Sequence, residues 1–253
     1  MGTTDNCIPY PFERDWCIKS LDIKRYEALC KNWDKSKELA TGIRACLEKQ
    51  GLSSVIETVA AAGSIGRMEA AQDVSDADLI VVVSDEVDLK SQTATNAYQE
   101  VWKAISELNL KKPKQTGVFA QPTNRTQLES LIGKADESLD IFGKRLLLLL
   151  ESQPVYHDEN YAKLIDSLIE RYALKYVKDD ARKEWTLLLN DLIRYFRSLA
   201  VNYQWDFENE TEKWAIRNIK LRHSRVIMYT GLLMLIGEAS KERDDKVTRV
   251  IAS

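Results

Sequence analysis

Apolar and polar positions alternate with two different periods along this chain, and the change of period divides it. From residue 20 to residue 50, Leu21, Tyr26, Leu29, Cys30, Trp33, Leu39, Ile43 and Leu47 recur at helical spacing, and Gly51 follows as a helix stop. Val55–Ala61 and Asp76–Val83 are short runs rich in β-type residues, separated by a segment that opens with Gly63-Ser64. Helical spacing returns over residues 92–109 through Tyr98, Val101, Trp102, Ile105 and Leu108; Lys111–Lys114 is a basic turn around Pro113, and Thr116–Ala120 is predicted as a third strand. Beyond Asn124 nothing reads as a strand. Residues 126–152, 158–177, 182–204 and 209–237 are predicted helices, joined at Pro154, Lys178–Asp180 and Asp206–Asn209. Leu146–Leu150 is apolar all round, which predicts a helix buried on most sides. With an irregular arm over residues 1–18, the pattern predicts an α+β protein: a small mixed sheet with flanking helices over residues 1–125, then an all-helical domain over 126–253.

Composition narrows this picture. A chain of 253 residues, 44% apolar and 30% charged, is ordinary for a globular protein with a sizeable core. The formal charge of −3 gives no broad basic field, so nucleic acid is not the favoured partner. Cys7, Cys17, Cys30 and Cys46 contain no C-x-x-C pair, and two of them share one helical stretch, which points to reduced thiols in a cytoplasmic protein. His157 and His223 are the only histidines, too few for a histidine-rich metal site. The start of the chain does not read as a signal peptide, and the longest apolar run, Val226–Ile236, is too short to span a bilayer; no membrane partner is expected. Trp102, Trp185, Trp205 and Trp214 sit in apolar helical spacing and are predicted core residues. The charged tail from Gly237 to Asp245 suggests an end in solvent or a docking point for a partner.

Chemistry concentrates between residues 63 and 78. Gly63-Ser64 is followed, after eleven intervening residues, by Asp76-Ala77-Asp78, with Val59–Ala62 before the unit and Leu79–Val83 after it. Alternate strand residues face one side, so Asp76 and Asp78 present two carboxylates together while Ala77 points away. Two like charges this close repel unless a cation lies between them, and hard oxygen ligands favour Mg²⁺ or Mn²⁺. Gly63 lets a backbone approach phosphate; Ser64 offers a hydroxyl and an N–H at the start of a short helix; Arg67 lies about one turn on, within reach of the same phosphates. No Gly-x-x-x-x-Gly-Lys-Ser/Thr or Gly-x-Gly-x-x-Gly loop is present.

The stretch Gly63-Ser64-Ile65-Gly66-Arg67 through Ser75-Asp76-Ala77-Asp78-Leu79 resembles the DNA polymerase β-like nucleotidyltransferase superfamily, and most closely its protein-modifying branch, which includes the adenylyl- and uridylyltransferases of nitrogen regulation. The resemblance covers about residues 55–125. It implies a nucleotidyltransferase-type fold followed by a helical domain. It also implies Asp76 and Asp78 as catalytic metal ligands for Mg²⁺ or Mn²⁺, and Gly63 and Ser64 as the holders of a nucleoside triphosphate. The activity it implies is transfer of a nucleoside monophosphate to an acceptor hydroxyl, a protein acceptor being favoured, with release of pyrophosphate. One departure stands out: that superfamily usually carries a third carboxylate on a later strand, and Thr116–Gln121 has no acid. Glu107 and Glu129 are the acids another register would offer. Without a third acid, a nucleotide-binding regulatory module that has lost catalysis is the alternative.

The helical half adds cations. Lys213, Arg217 and Lys220 share one face of a stretch that holds five Lys or Arg and no acid, and Asn190, Asp191, Arg194 and Arg197 are spaced similarly on an earlier helix. Arg194, Arg217 and Lys220 are therefore candidate nucleotide-binding residues, because cations stabilise a transferring phosphoryl group. Arg217-Asn218 followed by His223 also resembles the Arg-x(4–6)-His motif of HEPN helical ribonucleases, a further alternative in which Arg217 holds phosphate and His223 moves a proton.

Overall fold

The structure is a computed structural model that describes residues 10–14, 26–74, 76–130, 132, 137–173, 185–209 and 211–239. It is a mixed α+β protein, mostly helical, with a small three-stranded antiparallel sheet. The chain divides into two compact units: Met1–Ser130 with Ser138–Ile165, and Leu131–Glu137 with Asp166–Ala252.

In the first unit, helix α1 (Glu27–Gln50) buries Ser36, Leu39, Ala40, Ile43, Cys46 and Leu47, the stripe that the sequence spacing predicts, and ends at Gly51 in the left-handed conformation (φ +62°). Strand β1 (Ile56–Ala62) is the centre of the sheet. It pairs antiparallel with β2 (Asp78–Val83), Ile56 opposite Val83 and Ala62 opposite Asp78, and on its other edge with β3 (Gln153–Tyr156). Leu79, Val81 and Val83 join one core cluster with Val59, Ala61, Ile43, Leu47, Val101 and Trp102, whereas Ile80 and Val82 are equally buried outside it. Both faces of the sheet are therefore covered, which is why Val59–Ala62 of β1 and Leu79–Val83 of β2 read as continuous apolar runs rather than alternating ones. Helix α3 (Gln92–Ala104) packs on β2, and α5 (Leu139–Glu151) on β1; α4 (Arg125–Ser130) packs on α5.

Three features differ from the sequence expectation. Thr116–Ala120 is not a strand: Gly117 takes φ +102°, and Tyr98 Oη donates to the Phe119 carbonyl at 2.7 Å, holding the segment as a turn. Parallel pairing beside β2 is confined to single bridges at Asp76–Lys111 and Val82–Thr123, so the sheet proper is antiparallel rather than mixed. The third strand is instead Gln153–Tyr156, where no strand is predicted; it is four residues long and contains Pro154, which an edge strand tolerates. Residues 126–152 form α4 and α5, not one helix, and the leucine run lies in α5, with Leu146, Leu147 and Leu148 buried.

Helix α6 (Asp158–Tyr172) begins in the first unit, where Asp158 pairs with Arg44 at 2.7 Å. In the second unit, α7 (Thr186–Asn209) runs through Asp206–Asn209, where a connection is predicted. Helix α8 (Thr211–Lys220) continues through a wider turn, Leu221–Arg225, into α9 (Val226–Ala239). Tyr229 packs between Tyr195 and Phe196, at 6.2 and 5.2 Å. Trp102 and Trp185 are buried as expected, but Trp205 is 61% exposed, and Trp214 is half-buried against Phe207. Cys30 and Cys46 are free thiols; Cys7, Cys17, most of the arm, Lys178–Asp180 and the tail past Ala239 lie outside the described residues. Among the described residues no helix is long and apolar enough to cross a membrane.

Packing is close at Gly66, the last residue of the one-turn helix α2 (Gly63–Gly66). A Cβ there would lie 2.2 Å from the Glu151 carbonyl oxygen and 2.7 Å from that of Ala61, both backbone atoms that cannot swing aside. Gly66→Ala is expected to cost about 3 kcal/mol. Gly51→Ala, whose Cβ meets open space, is expected to cost only about 1 kcal/mol for its left-handed backbone. Urea denaturation of the two variants checks this; equal losses would show that the contact at Gly66 is not the constraint it is taken to be.

Candidate functional site

The Gly-Ser turn and the aspartate pair meet because β1 and β2 are antiparallel neighbours. β1 ends at Ala62, directly opposite Asp78, and the next residue, Gly63, has φ +63°. A Cβ on Gly63 would sit 2.3 Å from Asp78 Oδ2, so the carboxylate rests against the glycine where any side chain would displace it. The turn closes through Arg67 N–H to the Gly63 carbonyl at 3.0 Å and Glu69 N–H to the Ser64 carbonyl at 2.8 Å. It is anchored from α1, where buried Ser36 accepts from Ala70 N–H at 2.9 Å and donates to the Asn32 carbonyl at 2.7 Å. Ser64 is half-buried beside this turn. At four residues α2 is too short to develop a helix dipole, so the hydroxyl and the glycine opening are what the turn offers a ligand.

Ala77 is buried in the core cluster with Leu79 and Val81, while Asp78 is half-buried and Asp76 exposed. β2 begins at Asp78, and Asp76 precedes it, paired only through the single bridge to Lys111, so the strand that the sequence predicts over both aspartates reaches Asp78 alone. Beyond β2, the bridged neighbours are Lys111 and Thr123, neither of which is an acid. Among the described residues no three His, Cys, Asp or Glu side chains come together as a metal-binding group. Glu107 instead accepts a hydrogen bond from the Cys46 thiol at 3.2 Å; burial and this contact push the thiol's pKa up.

Arg67 is engaged by protein carboxylates rather than open to a ligand. Its Nη1 pairs with Glu151, which is 2% exposed, and its Nε donates to Glu69 at 3.0 Å. Gln153 fastens the same spot: its amide donates to the Gly66 carbonyl, and its Oε1 accepts from Phe12 N–H at 2.8 Å. Sequence reasoning missed Glu151. The available signal was an acid placed directly after five leucines at a helix end, where burial and the helix dipole both oppose it unless a cation is near.

The other candidate cations belong to the second unit. Arg194 pairs with buried Asp191 at 2.9 Å, and Asp191 also accepts from Tyr172 Oη at 2.7 Å. That is a structural network tying α6 to α7. Arg217 is half-buried on α8, Lys220 is exposed at its end, and His223 is exposed in the Leu221–Arg225 turn; the Lys213 side chain lies outside the described residues.

No protein-family model, curated protein or solved structure matches the chain.

Arg67→Met removes the cation that reaches the buried Glu151 and is expected to cost about 3 kcal/mol. Adding Glu151→Gln to that variant is expected to restore most of the loss, because the remaining group carries no charge. Denaturation of the two single variants and the double variant measures the coupling; simple additivity would show that the pair contributes nothing as a pair.

Proposed function

We propose that the protein is a divalent-metal-dependent nucleotidyltransferase acting through Gly63, Ser64, Asp76 and Asp78. The observation that supports this is the seating of the Asp78 carboxylate against Gly63, which brings the turn and one of the two aspartates together. The donor types fit Mg²⁺ or Mn²⁺: two hard carboxylates two residues apart, one exposed and one half-buried. A metal held by Asp76 and Asp78 would supply charge neutralisation to a triphosphate. The half-buried Ser64 hydroxyl beside the turn can donate to a phosphate oxygen.

In the reaction, the acceptor hydroxyl oxygen attacks the α-phosphorus of a nucleoside triphosphate. The bond from that phosphorus to the oxygen leading to the β-phosphoryl group breaks, pyrophosphate leaves with the electron pair, and the hydroxyl proton passes to water. A protein acceptor is favoured by the resemblance to protein-modifying transferases and by the net charge of −3, which gives no broad basic field for nucleic acid. A second reading, nucleotide binding without transfer, is favoured by one observation: the residues bridged to the outer edge of β2, Lys111 and Thr123, supply no third acid.

Incubation with each α-labelled nucleoside triphosphate and Mg²⁺ or Mn²⁺, with candidate acceptor proteins, is expected to give labelled acceptor and pyrophosphate. Asp76→Asn and Asp78→Asn are each expected to lower that rate at least about a hundredfold. Saturable nucleotide binding without pyrophosphate release would support the second reading. Transfer that survives in the double variant, or no nucleotide binding at all, would overturn the proposal.

A further inference from the structure

A cavity in the first unit lies apart from the Gly-Ser turn in sequence, between the 115–122 segment and the start of α5. It has a volume of about 300 Å³ and is lined by Gln115, Thr116, Gln121, Gln127, Asp140 and Lys144 among others. Its wall is built rather than incidental. Tyr98 Oη holds the Phe119 carbonyl, and a Cβ on Gly143 would come within 2.8 Å of Val118 Cγ2, so that segment lies directly on the helix. Helix α5 is 13 residues long and begins at Ser138, whose Oγ accepts from Ile141 N–H at 3.3 Å; its first turns face the cavity.

Lys144 is the unusual group there. It is 3% exposed, lines the cavity, and makes no hydrogen bond or ion pair with the described residues. Burial pushes its pKa down to about 8, with Asp140, one turn earlier, acting in the opposite direction. The ammonium is not sealed off: the side chain is buried while Nζ opens into the cavity, and burial still disfavours its charge. A ligand that enters the cavity could therefore pair with it directly. Asp140 also lines the cavity but is exposed, and it does not close onto Lys144 as an ion pair.

We propose that a zwitterionic small molecule of amino-acid size binds in this cavity, its carboxylate on Lys144 and its ammonium on Asp140. The volume is at the small end of ligand pockets, which suits one amino acid. Opposite charges one turn apart on one helix face match the two ends of a zwitterion, whereas a phosphate dianion would meet repulsion from Asp140. Three glutamine amides and the Thr116 hydroxyl give the rest of the wall both donors and acceptors for a polar ligand. The site uses none of the residues of the proposed nucleotide site, so the two can fail separately.

The test is calorimetric titration of the full chain with each of the twenty L-amino acids and with inorganic phosphate. At least one amino acid is expected to bind saturably, and its affinity is expected to fall at least about tenfold in both Lys144→Met and Asp140→Asn. Lys144→Met exchanges a buried ammonium for an apolar chain and is expected to unfold no earlier than the parent protein. A measurement on the unaltered protein stands beside it: acylation of Lys144 by acetic anhydride, read by mass spectrometry, is expected to slow when the amino acid is present, while the exposed Lys111 reacts at the same rate. Absence of binding by all twenty amino acids would overturn the proposal, as would an unchanged Lys144 acylation rate. So would phosphate binding that Asp140→Asn leaves unchanged or tightens, since that describes a simple anion site.

Discussion

Between the end of β1 and the end of α5 there is no room for a side chain, and the first unit is organised around that gap. Gly66 passes through it, with the Ala61 and Glu151 carbonyl oxygens where its Cβ would be. Everything that touches the gap is thereby fixed against everything else. Gln153 links the Gly66 carbonyl to the Phe12 amide, bringing the first described segment and β3 to the turn. Arg67, the next residue, reaches back to Glu151. One turn earlier the same constraint recurs at Gly63, where the neighbour is the Asp78 carboxylate. At Gly66 the neighbours are backbone atoms, whereas at Gly63 the neighbour is a side chain, so the turn is fixed at one end and the carboxylate only rests against the other.

What can be read from the sequence follows from how local its cause is. α1, its stop at Gly51, β1 and β2 are legible, because period and turn chemistry act within a few residues. The third strand is not. Gln153–Tyr156 is short, carries Pro154 and is buried throughout, so it has no alternation to betray it, and only pairing with β1 across about ninety residues of chain makes it a strand. Thr116–Ala120 shows the opposite error. Its β-type residues satisfy a local rule, but Gly117 in a left-handed conformation and the hydrogen bond from Tyr98 make it a turn instead. For Arg67 and Arg194 the charge is legible and the ion pair is not, since their carboxylates, Glu151 and Asp191, are buried by packing that no spacing rule reveals.

The first unit treats its buried charges in two ways. Glu151, at a helix end and inside the core, is matched by Arg67, and Gln153 fixes the backbone beside them. Lys144, about two turns before Glu151 on the same helix, is nearly as buried and is left unmatched by the described residues. Desolvation disfavours both ions alike, so the difference lies in what surrounds them. One sits where backbone segments converge and can be closed off. The other faces a cavity that a molecule can enter, which turns an unfavourable term in folding into a favourable term in binding.

The pairing of Arg67 with Glu151 bears on the proposed transfer as well. An open Arg67 would bring a positive charge to the triphosphate from within the turn. Paired as it is, its charge is largely cancelled, and the group resting against Gly63 is the Asp78 carboxylate, whose charge repels phosphate. Under the proposed function, a nucleotide without a divalent cation would therefore meet a site of the wrong sign, and the metal is needed for binding as well as for chemistry. The dependence would run the other way too: with no third acid bridged beside Asp76 or β2, phosphate oxygens and water would complete the ligand set. Metal and nucleotide should then bind as one unit, each weakly alone, and such mutual dependence separates a transferase-type site from a surface that happens to hold two aspartates.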